Sequence, residues 1–264
     1  MSVARALAHL EHRPAAGAET APPLVIAHGL YGARRNFNAI AKALAADRRV
    51  IAVDMRNHGA SPWDEDCSYP AMAEDLAHTV ERLAGPRAVV LGHSMGGKAA
   101  MALALTRPDL LAGLVVADIA PVAYAHSHLG YLEAMRAVPL EQIGRRGEAD
   151  PHLADAVPDA GLRAFLLQNL VIEDGRARWR INLDGLAAGM PELLGWPPDW
   201  PTRYEGPALF LRGGASDYVP PGAEIPIRAL FPRARLETIE GAGHWLHAEE
   251  PKAFTAAVRR FLDE

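Results

Sequence analysis

Five short apolar runs recur along the chain: LVIA at 24–27, VIAV at 50–53, AVVL at 88–91, LVVA at 114–117 and ALFL at 208–211, the first four followed directly by His, Asp or Gly and the fifth by Arg-Gly. Such runs are too short for helices and too uniformly apolar for strands with one wet face, so they read as strands buried on both faces. A sixth run, LETI at 236–239, alternates polar with apolar and belongs nearer a sheet edge. Helix-like stretches at 37–46, 71–83 and 98–106 separate the runs, and 251–262, opened by Pro251, closes the chain as a helix. Strands alternating with helices of this kind predict an α/β fold, a mostly parallel central sheet with helices on both faces.

That rhythm breaks between Pro121 and Pro207. The intervening residues are rich in Pro, Gly and Arg, and carry helical patches such as Leu162, Phe165, Leu166, Asn169 and Leu170. Phe165, Leu166, Leu170, Trp179, Ile181 and Leu183 are too many apolar groups for a solvated linker. The expected organisation is one core made of residues 1–120 and 207–264, with 121–206 inserted over it as a helical cap. With 264 residues, 50% of them hydrophobic, the chain is long enough for that core.

The 27 Lys and Arg against 32 Asp and Glu are spread without like-charge runs, which argues against nucleic-acid or anionic-membrane partners. No apolar run approaches membrane-spanning length, and Arg5, His9, Glu11 and Arg13 interrupt the N-terminal segment where a signal peptide would be apolar. Cys67 is the single cysteine, so there is no internal disulfide, and a cytoplasmic protein is expected. The oligomeric state is not legible.

Gly92-His-Ser94-Met-Gly96 follows the run at 88–91 and precedes the helix near Lys98. This is the context a nucleophile elbow requires: a serine on a strained strand-to-helix turn, with residues two before and two after that lack side chains. A hydroxyl is a poor nucleophile at neutral pH and needs a general base oriented by a carboxylate. In this arrangement the base comes last in the chain, and His244, after the turn that follows 236–239, takes that place. His247 reads as a helix-end residue. The oxyanion would be held by the N–H of Met95 and by that of Leu30, in the loop His28-Gly-Leu30-Tyr-Gly32. His28 reads as a residue holding that loop, and Asp54 to Ser61 as a structural tie.

These residues, together with Asp54-Met-Arg-Asn-His-Gly-Ala-Ser61, Lys98, Asp118-Ile-Ala-Pro121, Trp179-Arg-Ile-Asn-Leu183 and Gly241-Ala-Gly-His-Trp245, resemble the α/β-hydrolase superfamily over nearly the whole chain. Within it they are most similar to the YbfF-type bacterial acyl esterases and their mitochondrial abhydrolase-domain relatives. The resemblance implies a Ser-His-Asp triad, an acyl-enzyme intermediate and hydrolysis of an acyl ester or thioester. It leaves two candidates for the acid. Most of the superfamily places it after the strand at 208–211, where Ser216 fills the slot here and Asp217 stands one residue late. The narrower group uses the Asp ending the preceding strand, matched by Asp118, which is the preferred candidate over Asp217.

Leu132, Met135, Phe165, Leu166 and Trp179 are candidates for an acyl pocket, although at helical spacing such residues also build a core. His126 and His128 have no third ligand at a metal-binding spacing, so neither a metal nor another cofactor is expected. Two rival functions remain at this stage: another Ser-dependent chemistry on the same fold, such as perhydrolysis or C–C bond hydrolysis, and a non-catalytic ligand-binding protein.

Overall fold

A computed structural model describes residues 4–125, 128–200 and 202–264. Among these, seven strands form one sheet in the order β1-β3-β2-β4-β5-β8-β9: β1 His9–His12, β2 Leu24–Ala27, β3 Val50–Val53, β4 Ala88–His93, β5 Leu111–Ala117, β8 Ala208–Gly213 and β9 Ala234–Ile239. All pairings are parallel except that of β1, which lies antiparallel on β3 at the edge. The five apolar runs are the five interior strands, and the alternating sixth run is the opposite edge. β1 did not stand out in the sequence because an edge strand half open to water carries polar side chains such as His9 and Glu11.

Alternate side chains of each strand face opposite layers. Val25, Val53, Val90 and Val116 pack with Met72 and Leu76 of α2 (Tyr69–Thr79) and with the alanines of α3 (Met95–Thr106). Their neighbours Leu24, Ala52, Leu91 and Val115 pack with Ile40 and Leu44 of α1 (Asn38–Leu44) and with Phe254 and Phe261 of the closing helix at Pro251–Leu262. Ser68 caps α2, its hydroxyl accepting from the Ala71 N–H at 3.3 Å. The predicted helix at 71–83 continues past Thr79 as a single wider turn, Val80–Ala84.

Between β5 and β8 the described residues form α4 Leu129–Arg136, α5 Asp150–Leu153, α6 Ala160–Leu167, the hairpin β6 Leu170–Glu173 with β7 Arg176–Trp179, α7 Leu183–Ala188 and α8 Met190–Leu194. The helical patch expected to run through Asn169 and Leu170 stops at Leu167. Asn169 turns the chain, and Leu170 begins the hairpin. None of the helices of the described residues is long and apolar enough to cross a membrane.

Parallel register brings the loops that matter to one edge. Ala27 lies opposite Gly92, and His93 lies opposite Ala117, so the His28 loop, Ser94 and Asp118 leave the sheet side by side. This is the carboxyl edge where open α/β sheets place their ligands.

Candidate active site

Ser94 sits between β4 and α3 with φ 52° and ψ −119°, a backbone conformation that a residue with a side chain adopts only under constraint. The constraint is visible in the glycines. A Cβ on Gly92 would stand 2.1 Å from the Gly96 carbonyl oxygen, and one on Gly96 would stand 2.5 Å from the carbonyl oxygens of Ala27 and His28. The elbow therefore closes only because both positions lack side chains. The Ser94 N–H donates to the Ala117 carbonyl at 2.9 Å and its own carbonyl accepts from Lys98 at 3.0 Å, which fixes the turn at both ends.

The loop after β9 brings His244 to the serine. His244 Nε2 lies 3.1 Å from Ser94 Oγ, and His244 Nδ1 lies 2.8 Å from Asp118 Oδ2. A carboxylate on Nδ1 holds the proton there and leaves the Nε2 lone pair facing the hydroxyl. Asp118 is completely buried at the end of β5, with φ 51°. Its other acceptor sites are filled: Gly213 N–H donates to Oδ1 at 2.8 Å, and the Ser216 hydroxyl donates to Oδ2. Asp217, the competing acid, is exposed on the surface. Ser216, occupying the slot where the wider superfamily has its acid, instead braces the carboxylate of Asp118.

Two further residues fix the histidine, and neither was singled out in the sequence. The Tyr218 ring stacks on the His244 ring at 3.6 Å between centroids and 16° between planes. His93 Nε2–H donates to the His244 carbonyl at 2.8 Å. The position of His93 in the elbow motif was the only available signal, because the second residue of that motif is unrestricted.

A group of buried histidines surrounds the pair without acting as acids. Burial holds His93 well below the ordinary imidazole range and lowers His58 and His247 to about 3. Their contacts are those of neutral rings. His58 Nδ1 donates to the Arg56 carbonyl while Nε2 accepts from the Tyr31 N–H, and His28 Nε2 accepts from Met55 N–H at 3.0 Å. His28 thus holds the loop, and Asp54 ties loops together through Arg34 and the Ala60 N–H. His247 stands at a helix end, in the short helix Leu246–Glu249. It is buried and stacks on Phe37 at 4.3 Å, because that helix turns it inward.

Two cavities meet at Ser94. The larger, about 210 Å³, is walled by Phe37, Leu162, Phe165, Trp245 and His247 beside His244. The smaller, about 40 Å³, is walled by Met95, Lys98, Ile119, Met190 and Leu193. Of the five pocket candidates only Phe165 reaches either cavity. Leu132, Met135, Leu166 and Trp179 are corrected to apolar core of the segment between β5 and β8, where each is buried. Leu162 and Phe165 of α6 line the larger cavity, while Leu166 of the same helix is fully buried in the apolar core.

Leu30 is half-buried and borders both cavities, and Met95 is the first residue of α3. A Cβ on Gly29 would stand 3.1 Å from the Ser94 Cβ, so the Leu30 loop passes directly over Ser94. His128 turns its Nε2 toward the Tyr218 hydroxyl at 3.2 Å, while His126 lies outside the described residues. Among the described residues no group of three His, Cys, Asp or Glu side chains is arranged to hold a metal ion.

The profile of the family described as alpha/beta hydrolase fold matches residues 22–251. The chain is 46% identical over 254 residues to the mouse sn-1-specific diacylglycerol lipase ABHD11, covering 93% of this chain and 82% of that protein. It is 41% identical over 245 residues to esterase YbfF of Escherichia coli K12, covering 92% and 93%. A solved structure described as a marine microorganism esterase superposes with a TM-score of 0.93 at 36% identity, covering 98% of this chain and all (100%) of that one. On sequence, sheet order and elbow alike, the chain belongs to the α/β-hydrolase family.

Proposed function

We propose that the protein is a carboxylic ester hydrolase acting through a Ser94–His244–Asp118 triad and an acyl-enzyme intermediate. The observation that carries this reading is the continuous hydrogen-bond chain from the Ser94 hydroxyl through His244 to the buried Asp118 carboxylate. The naming of relatives as esterase and diacylglycerol lipase supports it.

His244 takes the Ser94 proton as Oγ attacks the substrate carbonyl, and Asp118 stabilises the imidazolium that forms. The N–H groups of Met95 and Leu30 receive the developing oxyanion. Met95 suits this role because the first N–H groups of a helix have no acceptor within it. His244 then protonates the departing alkoxide, and water, activated by the same base, releases the acid. In this reading residues 121–206 act as a cap over a core of 1–120 and 207–264, excluding bulk water from the acyl-enzyme.

The test is a Ser94→Ala variant assayed on a p-nitrophenyl ester, together with fluorophosphonate labelling of the unaltered protein. Turnover should fall by about 10⁴-fold or more, and the label should sit on Ser94. Retained turnover in the variant, or a folded protein whose Ser94 refuses the probe, removes the assignment.

A further inference from the structure

The mechanism decides which half of an ester each of the two cavities receives. When the tetrahedral intermediate collapses, His244 must hand its proton to the leaving oxygen. His244 borders the large cavity and not the small one, whereas Met95, whose N–H receives the oxyanion, borders the small cavity and not the large one. The leaving oxygen therefore faces the large cavity. Once Ser94 Oγ, the oxyanion and the leaving oxygen are placed on the reacting carbon, its fourth substituent, the acyl chain, has the small cavity left to it.

We infer, resting on the ester-hydrolase reading above, that this protein selects a short acyl group of two to about four carbons carried on a large apolar alcohol. The size follows from the volume. A water-sized occupant needs about 10–15 Å³, so about 40 Å³ admits roughly three heavy atoms beyond the carbonyl. The alcohol side, about 210 Å³ and lined by Phe37, Leu162, Phe165 and Trp245, takes a ring or a branched chain.

Lys98 makes the limit a firm one. It is buried, and its Nζ donates to the Gly195 carbonyl at 2.6 Å and to the Leu194 carbonyl at 3.2 Å. Lys98 Nζ lies 4.7 Å from the centre of the Tyr124 ring and 5.3 Å from that of Tyr69, and the Tyr69 hydroxyl donates to the Leu193 carbonyl at 2.5 Å. A longer chain would have to displace the buried Lys98 amine from its two carbonyl acceptors and leave those polar groups unpaired, at a cost that its extra methylenes do not recover. The short-chain limit thus has two parts, an end wall at Lys98 anchored to backbone carbonyls and an apolar side wall that includes Met190.

The experiment measures kcat/KM for p-nitrophenyl acetate, butyrate, octanoate and decanoate with one leaving group throughout. Octanoate should fall at least about 30-fold below butyrate. Met190→Ala, which removes part of the small cavity's wall, should raise the octanoate-to-butyrate ratio at least about 10-fold, a ratio that a partial loss of folded protein does not move. With acetyl held fixed, enlarging the alcohol from phenyl to naphthyl, whose leaving groups are of similar acidity, should raise kcat/KM about 10-fold, and Phe165→Ala should diminish that gain. The pocket assignment is overturned if octanoate equals or exceeds butyrate in the unaltered protein. It is also overturned if the ratio is unmoved in a Met190→Ala protein that still labels with fluorophosphonate. Failure to turn over any ester, with Ser94 unlabelled, removes the ester-hydrolase reading and takes this inference with it.

Discussion

The carboxyl edge of the sheet and the segment between β5 and β8 hold their parts of the site by different physics. At the edge, the chain leaves no room for a single extra carbon: Gly92, Gly96 and Gly29 approach neighbouring atoms so closely that a Cβ would overlap or press on them. That segment meets this edge through separate polar contacts. Asn169 Nδ2 donates to the Tyr31 carbonyl at 2.7 Å, Asn36 Nδ2 to Gln168 Oε1 at 2.8 Å, and the Tyr31 hydroxyl to the His128 carbonyl at 2.9 Å. Close packing fixes where the reacting atoms stand, while exchangeable hydrogen bonds act beside a shared apolar cluster of Tyr31, Met95 and Ile119 with Leu132, Leu166 and Met190 to fix what surrounds them. Chemistry and selectivity should therefore be separable by mutation.

The sharpest way to break that division is at the edge. Asp118→Asn should lower kcat by up to about 10⁴-fold, since the amide favours the wrong imidazole tautomer, while the neighbouring surface change Asp217→Asn should alter it less than about 2-fold. Steady-state kinetics on the two variants decides between them, and equal damage from both would dissolve the distinction. Next in size, Gly96→Ala forces a methyl against two backbone carbonyls and should destabilise the fold by about 3 kcal/mol, measured by urea unfolding. An unfolding midpoint like that of the unaltered protein would mean the elbow has slack. Smaller again, Asn169→Ala strands the buried Tyr31 carbonyl and should cost about 1–2 kcal/mol. Because Tyr31 follows Leu30, that variant should also lose turnover, by about 10-fold with KM little changed. A variant unaffected in kcat would show that the segment between β5 and β8 does not steady the Leu30 loop.

Legibility in the sequence follows the same line. The five interior strands were readable because burial on both faces demands uninterrupted apolar residues, and the elbow because its glycines are a steric necessity. The contacts of Asp118 could not be read from spacing: that a serine in the usual acid slot would brace a carboxylate 98 positions away is a fact of strand adjacency. Tyr218, His247 and Lys98 were missed as wall residues for the same reason. The pocket candidates failed differently. Leu132, Met135 and Leu166 have the periodicity of helices with one apolar face, and periodicity states that a face is covered without saying whether substrate or protein covers it. The hairpin β6–β7 was hidden because Arg176 and Arg178 point outward from a two-stranded ribbon too short to show alternation.

Cys67 lies on the seam between these two regions. Its thiol is wholly buried, accepts from Asn57 Nδ2 at 3.3 Å and donates to the Gly185 carbonyl at 3.5 Å, while a Cβ on Gly189, between α7 and α8, would strike its sulfur at 2.6 Å. Burial pushes the thiol up to about 11, so the closed molecule offers neither access nor thiolate to an alkylating reagent. Reaction at this sulfur requires a local opening that uncovers it from Gly185 and Gly189, and with 1 cysteine in the chain there is no second signal to subtract. The labelling rate of Cys67 is thus a clock built into the joint, timing how often this buried contact opens.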